Sequence, residues 1–551
     1  MSSVAAGAQT GRGEEAGLLS KERTIAGAGY NRWLVPPAAL AIHLCIGMAY
    51  GFSVFWLPLS KSLPGAAACS PGLGEFFATD CNWNVSTLGW MFIIFFVFLG
   101  SAAAIWGGWL EHAGPRKAGV LAALCWCGGM LISAFGISIH QFWLMVLGSG
   151  VIGGIGLGLG YISPVSTLIK WFPDRRGMAT GMAIMGFGGG AMIGSPLAAL
   201  LIRNFAGGSD VGVWQTFVVM GLIYFVFMIG GAFGYRIPAT GWTPAGWTPP
   251  VTKASNTMIT KGHVHVKRVW GIPQFWLVWL VLCMNVSAGI GVIGMASPML
   301  QEVFGGALIN VPQKFTELDK TQLAAIAGVA AGFTALLSLF NIGGRFFWAS
   351  MSDFFGRKMT YFIFFVLGAI LYASLPASAG AGSKLLFVGA VCIILSMYGG
   401  SFSTVPAYLA DLFGTQNVGA IHGRLLTAWS AAGIVGPVVV NYMRDYQIHM
   451  GIPRSQVYNQ TMYILIGMLV IGFICNLLVK PVNPKYFMTE AELEEEKRLA
   501  HERAAASEVG AGSASNAATS PAIVVVAWLA VGIPLIWGVY VTLVSAAKFF
   551  H

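Results

Sequence analysis

The sequence predicts an all-α membrane protein in which two six-helix halves flank a polar central loop and a further membrane-crossing helix follows. Three observations carry this reading. Of the 551 residues, 56% are hydrophobic and only 9% charged, whereas soluble proteins carry about 25% charged residues. About thirteen stretches reach the roughly 20 apolar residues that a bilayer span needs, and an open chain crosses hydrocarbon only as helix. A turn-rich stretch from Arg236 to Gly271, containing Gly241-Trp242-Thr243-Pro244 and Gly246-Trp247-Thr248-Pro249, separates six of these stretches from the next six. The net charge of +10 would suggest nucleic acid on a polar chain. On this composition it belongs to membrane topology, so no nucleic-acid partner is expected, and secreted, nuclear and disulfide-scaffold classes are excluded.

Residues 1–30 are Gly/Ala-rich and polar, without the apolar core of a signal peptide, and read as a disordered cytoplasmic tail. The N-terminal half, 31–237, holds spans at about 33–58, 88–110, 118–138, 142–170, 178–202 and 214–235. Residues 238–272 form a central cytoplasmic loop. The C-terminal half, 273–481, holds spans at about 274–300, 322–350, 360–378, 386–411, 424–441 and 461–479. In 482–521 a run from Thr489 to Arg498 places carboxylates first and bases last, the order that suits a helix macrodipole, and a Gly/Ala/Ser linker follows. Residues 522–547 make the additional transmembrane helix, read as a membrane anchor or a helix for a membrane partner. Twelve Lys and Arg fall in loops on the side of the N-terminus against seven on the other. The positive-inside rule therefore places the N-terminus in the cytoplasm of a multi-pass protein of the bacterial inner membrane.

Six of the eight cysteines sit in apolar stretches, where Cys behaves as a small hydrophobe. Cys69 and Cys81 share the first external loop and pair if that side is oxidising. Cys125-Trp126-Cys127 has neither zinc nor redox spacing, and no metal or cofactor is expected. Gly150, Gly154 and Gly158 recur at i, i+4 and i+8, and five glycines crowd 186–194, small faces that let helices approach closely. Gly148 to Gly153 matches G-x-G-x-x-G, but no strand precedes it, so it is not read as a dinucleotide loop.

Of the 31 basic residues, only Lys170 and Arg345 fall within spans, and Lys170 adjoins a span end where its stem can snorkel. Arg345 lies eight residues before Asp353, about 12 Å inside the helix end at 1.5 Å per residue. No Asp or Glu lies deep in a span to neutralise it. A buried cation without a partner costs several kcal/mol, so its partner is expected to be an anionic substrate, held as a guanidinium holds a carboxylate. Snorkelling or capping of backbone carbonyls is the alternative for Arg345. Proton-driven carriers use intramembrane Asp, Glu or His, and here only His43 stands in that role; exchange of one anion for another needs no proton relay. Tyr50, Trp56, Tyr161, Tyr398 and Trp429 lie within spans, where rings and phenol hydroxyls suit a planar organic anion. No nucleophile and base pair at usable spacing, so an enzyme is not expected.

The halves echo one another. Glu111-x-x-Gly114-Pro115-Arg116-Lys117 after the second span returns as Asp353-x-x-Gly356-Arg357-Lys358 after the eighth. Pro164 precedes Gly194-Ser195-Pro196 much as Pro406 precedes Gly436-Pro437. Internal repeats about a central loop are a transporter signature. The two loop motifs resemble the signature of the major facilitator superfamily, with His112 where a base is usual and Ala349 where Gly is usual. Tyr161-Ile162-Ser163-Pro164, Trp171-Phe172-Pro173-Asp174-Arg175-Arg176-Gly177, Tyr398-Gly399-Gly400 and Asp411-Leu412-Phe413-Gly414 together resemble its oxalate:formate antiporter family, over about Trp33 to Lys480.

That resemblance implies alternating access between the halves and a carboxylate bound by an eighth-helix arginine, here Arg345 in Gly343-Gly344-Arg345. The oxalate carriers add an eleventh-helix lysine, at whose position this chain has Trp429, which makes a dianion doubtful and a monocarboxylate easier to hold. Proton-coupled monocarboxylate transporters pair the arginine with an Asp four residues earlier, and this chain has Asn341 there. The expectation is therefore an exchanger of small carboxylates such as oxalate or formate. Arg345 is its central ligand, with Tyr50, Tyr161, Tyr398 and Trp429 around it and the Glu111–Lys117 and Asp353–Lys358 loops serving the conformational change. Proton-linked uptake of a lactate-like or pyruvate-like monocarboxylate, and a non-transporting sensor of such anions, are the alternatives.

Overall fold

A computed structural model of the chain describes residues 17–70, 72–207, 211–239, 241–246, 258–508 and 518–547. Among the described residues thirteen helices are long and apolar enough to cross a membrane. The N-terminal half holds α1 (Arg32–Phe52), α2 (Thr87–Leu110), α3 (Pro115–Ser138), α4 (Phe142–Trp171), α5 (Gly181–Phe205) and α6 (Val213–Gly234). The C-terminal half holds α7 (Pro273–Ile309), α8 (Thr321–Phe355), α9 (Arg357–Gly380), α10 (Lys384–Phe413), α11 (Val418–His449) and α12 (Arg454–Leu478). The charged helix α13 (Glu490–Glu508) precedes the last span, α14 (Pro521–Val544).

Packing repeats with the sequence. In the first half α1 lies on α5, α2 on α4 and α3 on α6; in the second α7 lies on α11, α8 on α10 and α9 on α12. The halves then meet through two crossed pairs, α2 with α11 and α5 with α8. Glycine makes these approaches close. A Cβ on Gly154 would lie 2.7 Å from the Phe95 carbonyl oxygen, and one on Gly158 2.5 Å from that of Leu99, which is why the i, i+4 stripe of α4 faces α2. The formal G-x-G-x-x-G of 148–153 overlaps a π turn at Val146–Ile152, where Gly148 backs directly onto Gly129 of α3.

Both loop motifs turn at a positive φ that favours glycine, Gly114 at +85° and Gly356 at +83°. The helix of α2 runs on through Glu111 to Ala113 before that turn. Arg116 is buried, donates to the Leu18 carbonyl at 3.0 Å and lies over the Phe233 ring, while Lys117 is exposed. In the second copy Arg357 donates to Ser352 and to Asp353 at 2.5 Å and pairs with Asp411 at 3.4 Å, tying the ends of α8 and α10. Lys358 caps the end of α12 through the carbonyls of Leu477 and Val479.

Several boundaries differ from those the hydropathy pattern predicts. The α8 helix continues through Asp353 to Phe355, so Arg345 lies ten residues, about 15 Å, from its end. The helical segment of α11 begins at Val418, placing His422 and Arg424 inside the eleventh span and not in a loop. Hydropathy misses these turns because His422, Gly423 and Arg424 lower the local average. Of the presumed disordered tail, residues 17–30 are packed: Ala26 donates to the Ile237 carbonyl, Ile237 to the Thr24 carbonyl, and Lys21 lies against Gly114. The first sixteen residues, and 509–517 of the linker, lie outside the described residues. Cys69 and Cys81 are disulfide-bonded.

The charged segment after α12 is helical as its charge order predicts, and it docks on the end of the central loop. Arg268 grips Glu492 through both carboxylate oxygens, and His265 meets Glu496 at 3.3 Å. A backbone hydrogen bond from Thr489 and the Arg268 guanidinium hold the exposed Glu492 carboxyl below the usual range. A lowered carboxyl pKa stabilises above its unfolded value, about 4.3, and that contribution fades as pH falls through the lower folded value. Amide exchange in α13, taken relative to the intrinsic rate at each pH, is therefore expected to stay slow down to about pH 4 and to quicken below it. Removing the carboxylate with Glu492→Gln should quicken it already at neutral pH.

Candidate functional site

The five residues singled out for substrate binding converge at the crossing of the two halves. Arg345 of α8 is fully buried. Its Nε donates to Asn341 Oδ1 at 2.8 Å, one helical turn earlier, and Nη1 donates across the interface to the Ile184 carbonyl of α5 at 3.3 Å. Nη2 is buried without a hydrogen-bond partner. The guanidinium carbon lies 5.6 Å from the Phe187 ring of α5 and 5.5 Å from the Phe402 ring of α10, so the cation sits between a phenyl face of each half. Its hydrogen bonds go to an amide oxygen and a peptide carbonyl, neither of which carries the charge that would neutralise it.

The aromatic residues wall this cation. Tyr50 of α1 and Tyr398 of α10 share a hydroxyl-to-hydroxyl hydrogen bond of 2.8 Å that joins the halves. Trp429 of α11 packs on Phe402 at 4.5 Å, Tyr161 at 5.3 Å and Phe187 at 5.4 Å between ring centroids. The hydroxyls of Tyr50 and Tyr161 lie within electrostatic reach of the guanidinium, and that of Tyr161 is buried without a hydrogen-bond partner. Trp56 lies outside this cluster, directly after the 3₁₀ segment Gly47–Phe55. His43 stacks on Tyr161, its ring nitrogens facing the carbonyls of Ala183 and Tyr161.

Small residues make the room. A Cβ on Gly188 would lie 2.9 Å from Arg345 Nε, and one on Gly399 2.4 Å from the Asn341 carbonyl oxygen. On Gly344 it would meet the Ser396 carbonyl oxygen at 2.1 Å. The Tyr398-Gly399-Gly400 motif thus lets α10 lie flush against the turn of α8 that carries Asn341 and Arg345. Ser403 fixes the same turn by donating to the Arg345 carbonyl at 2.7 Å.

Phe187, Phe402 and His422 also belong to the cluster, and inspection of the sequence did not single them out. A phenylalanine in an apolar span carries no periodic or charge signal, although Gly186-Phe187-Gly188 marks a ring with space on both sides. The motif loops that hold Gly114, Arg116, Lys117, Gly356, Arg357 and Lys358 stand at one end of the bundle, called here the motif end, away from Arg345. Among the contacts between halves, Gly107 with Gly423 and Gly181 with Phe346 lie toward that end.

The arrangement, a desolvated guanidinium with one open donor nitrogen between aromatic faces, suits a small planar anion. The Major Facilitator Superfamily model matches residues 62–437 and 320–551. The oxalate:formate antiporter of Oxalobacter formigenes is 27% identical over 288 residues, 52% of this chain and 59% of the antiporter. Apicoplast pyruvate carrier 1 of Toxoplasma gondii is 24% identical over 56% of this chain and 61% of its own, so this chain spans about three fifths of both relatives' length. Human monocarboxylate transporter 11 is 24% identical over 75% of this chain and 77% of its own. Among solved structures, a bacterial homologue of the iron transporter ferroportin in an outward-facing state superposes with a TM-score of 0.54 at 12% identity, covering 81% of this chain and 99% of that one. The Escherichia coli fucose:proton symporter gives 0.51 at 14% identity over 82% and 100%. With a family model matching well over half its length and the same paired six-helix fold, this chain belongs to the major facilitator superfamily.

Proposed function

We propose that the protein exchanges small monocarboxylates across the membrane by alternating access, with Arg345 as the central carboxylate ligand. One observation carries this reading: Arg345 is fully buried, lacks a hydrogen-bond partner at Nη2 and bonds only to neutral oxygens. A carboxylate supplies the missing charge and a strong acceptor together. Tyr50, Tyr161, Tyr398 and Trp429 then define the volume beside it. Trp429 in place of a second cation leaves one positive charge for one carboxylate, which favours formate or pyruvate over oxalate. Relatives named for oxalate and formate, for pyruvate and for monocarboxylates support this substrate class. The Arg345 contacts reach both halves, through Ile184 and Phe187 on one side and Asn341 and Phe402 on the other, so binding there bears on the equilibrium between states. The basic loops at the motif end support a cytoplasmic position for that end and the N-terminus, in a bacterial inner membrane.

Uptake of labelled formate, pyruvate and oxalate into proteoliposomes preloaded with each unlabelled acid tests this. Exchange predicts preload-dependent flux that a pH gradient does not drive, strongest for the monocarboxylates. A second reading, proton-coupled uptake, draws on His43, whose two ring nitrogens both face carbonyl oxygens, an arrangement that a doubly protonated ring satisfies. Flux that needs a proton gradient and no preload would establish that reading instead.

A further inference from the structure

Between α4 and the start of α11, on the motif-end side of Tyr161, lies a cavity of about 60 Å³ lined by Ser166, Lys170, Gln416, Val418, Gly419 and His422, among others. A cavity needs only about 10–15 Å³ by this measure to hold a water, so the space admits several waters or one small solute. Three independent features give it a preference for anions. Lys170 lines the cavity from an exposed end of α4. His422 lines the cavity and is buried, and its Nε2 has no hydrogen-bond partner. Val418 and Gly419 form the first turn of a helix whose N-cap residue, Asn417, does not cap it: the side-chain amide turns instead to the Val264 carbonyl and Met488 Sδ. Val418 and Gly419 line the cavity, so the positive dipole of that uncapped helix end lies beside it.

We infer that this cavity is a second carboxylate station, occupied on the way between the motif end and Arg345. The inference rests on the carboxylate-transport reading above and adds a site to it. Tyr161 links the two stations, 6.3 Å from the His422 ring and 5.3 Å from that of Trp429. The station has one full charge, on Lys170, and polar groups beside it, whereas the central site has a desolvated guanidinium. An anion is therefore drawn in at Lys170, steadied by Gln416, His422 and the α11 dipole, and passed to the stronger ligand. Both stations cannot bind tightly and still release, so the outer one is expected to be the weaker.

The test measures pyruvate uptake in oriented vesicles, presenting pyruvate at one face and then at the other. In Lys170→Gln the half-saturating concentration is expected to rise about tenfold at the motif end and to stay unchanged at the opposite end; Lys170→Arg should restore it. No change, or an equal rise at both faces, overturns the station. Loss of flux in Lys170→Gln with unchanged half-saturation also overturns it. A second measurement needs no transport. Cys introduced by Ser166→Cys should react at least tenfold faster with an anionic than with a cationic thiosulfonate, and Lys170→Gln should shrink that ratio; equal rates would refute the anion preference. Pyruvate, formate and oxalate all failing to move in the wild type would sink the transport reading, while the thiol rates would still decide the station.

Discussion

Replacing Arg345 by glutamine is expected to lower carboxylate exchange at least a hundredfold without unfolding the protein. Hydrogen bonds to charged groups contribute about 1.5–3 kcal/mol each. A carboxylate bound through two of them loses roughly 3 kcal/mol or more when the guanidinium goes, which is about a hundredfold in affinity. Stability should move the other way. The guanidinium is fully buried without an anion, and a neutral amide of shorter reach removes that desolvation cost while still able to bond Asn341. The expected thermal midpoint of Arg345→Gln without ligand is therefore equal to or above that of wild type, with the stabilising effect of added pyruvate abolished. Arg345→Lys keeps the charge but not the fork that reaches Asn341 and Ile184 together. Its exchange should fall between the two. A thermal midpoint well below wild type for the glutamine variant would mean that Arg345 serves packing.

Gly344→Val is expected to have the opposite signature, loss of the folded protein itself. The α8–α10 crossing is among the most extensive in the molecule, and a Cβ at 344 would stand 2.1 Å from the Ser396 carbonyl oxygen and 2.5 Å from its Cα. These are backbone atoms, so no rotamer change relieves the contact and the helices must part. Overpacking costs about 1–3 kcal/mol where side chains can adjust; here the upper end of that range or more is expected. Separation would also draw Tyr398 and Phe402 away from Arg345. Detergent-solubilised Gly344→Val should melt many degrees below wild type and bind no carboxylate. By contrast Gly343→Ala, next in sequence but with no heavy atom within 4 Å of its would-be Cβ, should melt like wild type. Equal melting of the two variants would refute the packing account.

The sequence makes some of this plain and hides the rest for identifiable reasons. Arg345 stands out because a charged residue far inside an apolar span is costly and therefore rare. Gly114 and Gly356 stand out because the turn they serve recurs at the same place in each half. The crossed pairing of halves does not show, since α2 with α11 and α5 with α8 are joined by glycines and phenylalanines that every apolar span contains. Phe187 and Phe402 become site residues only when the fold sets them on either side of the guanidinium. His422 escapes because hydropathy averaging starts the eleventh span after it, although the helix begins at Val418. The packed residues 17–30 escape because their order comes from partners distant in sequence, Gly114, Arg116 and Ile237. The last span illustrates the same limit: apolar length announces α14, but not that it lies along α5 and α8 and ties Trp528 Nε1 to the Trp33 carbonyl at 3.0 Å.

The most direct test of the central claim is an experimental structure of the protein with bound pyruvate. The account predicts a carboxylate oxygen within about 2.7–2.9 Å of Arg345 Nη2, with the ligand between Phe187 and Phe402 and bounded by Tyr50, Tyr161, Tyr398 and Trp429. Pyruvate bound elsewhere while Nη2 remains unpartnered, or Nη2 satisfied by a protein carboxylate, would contradict it.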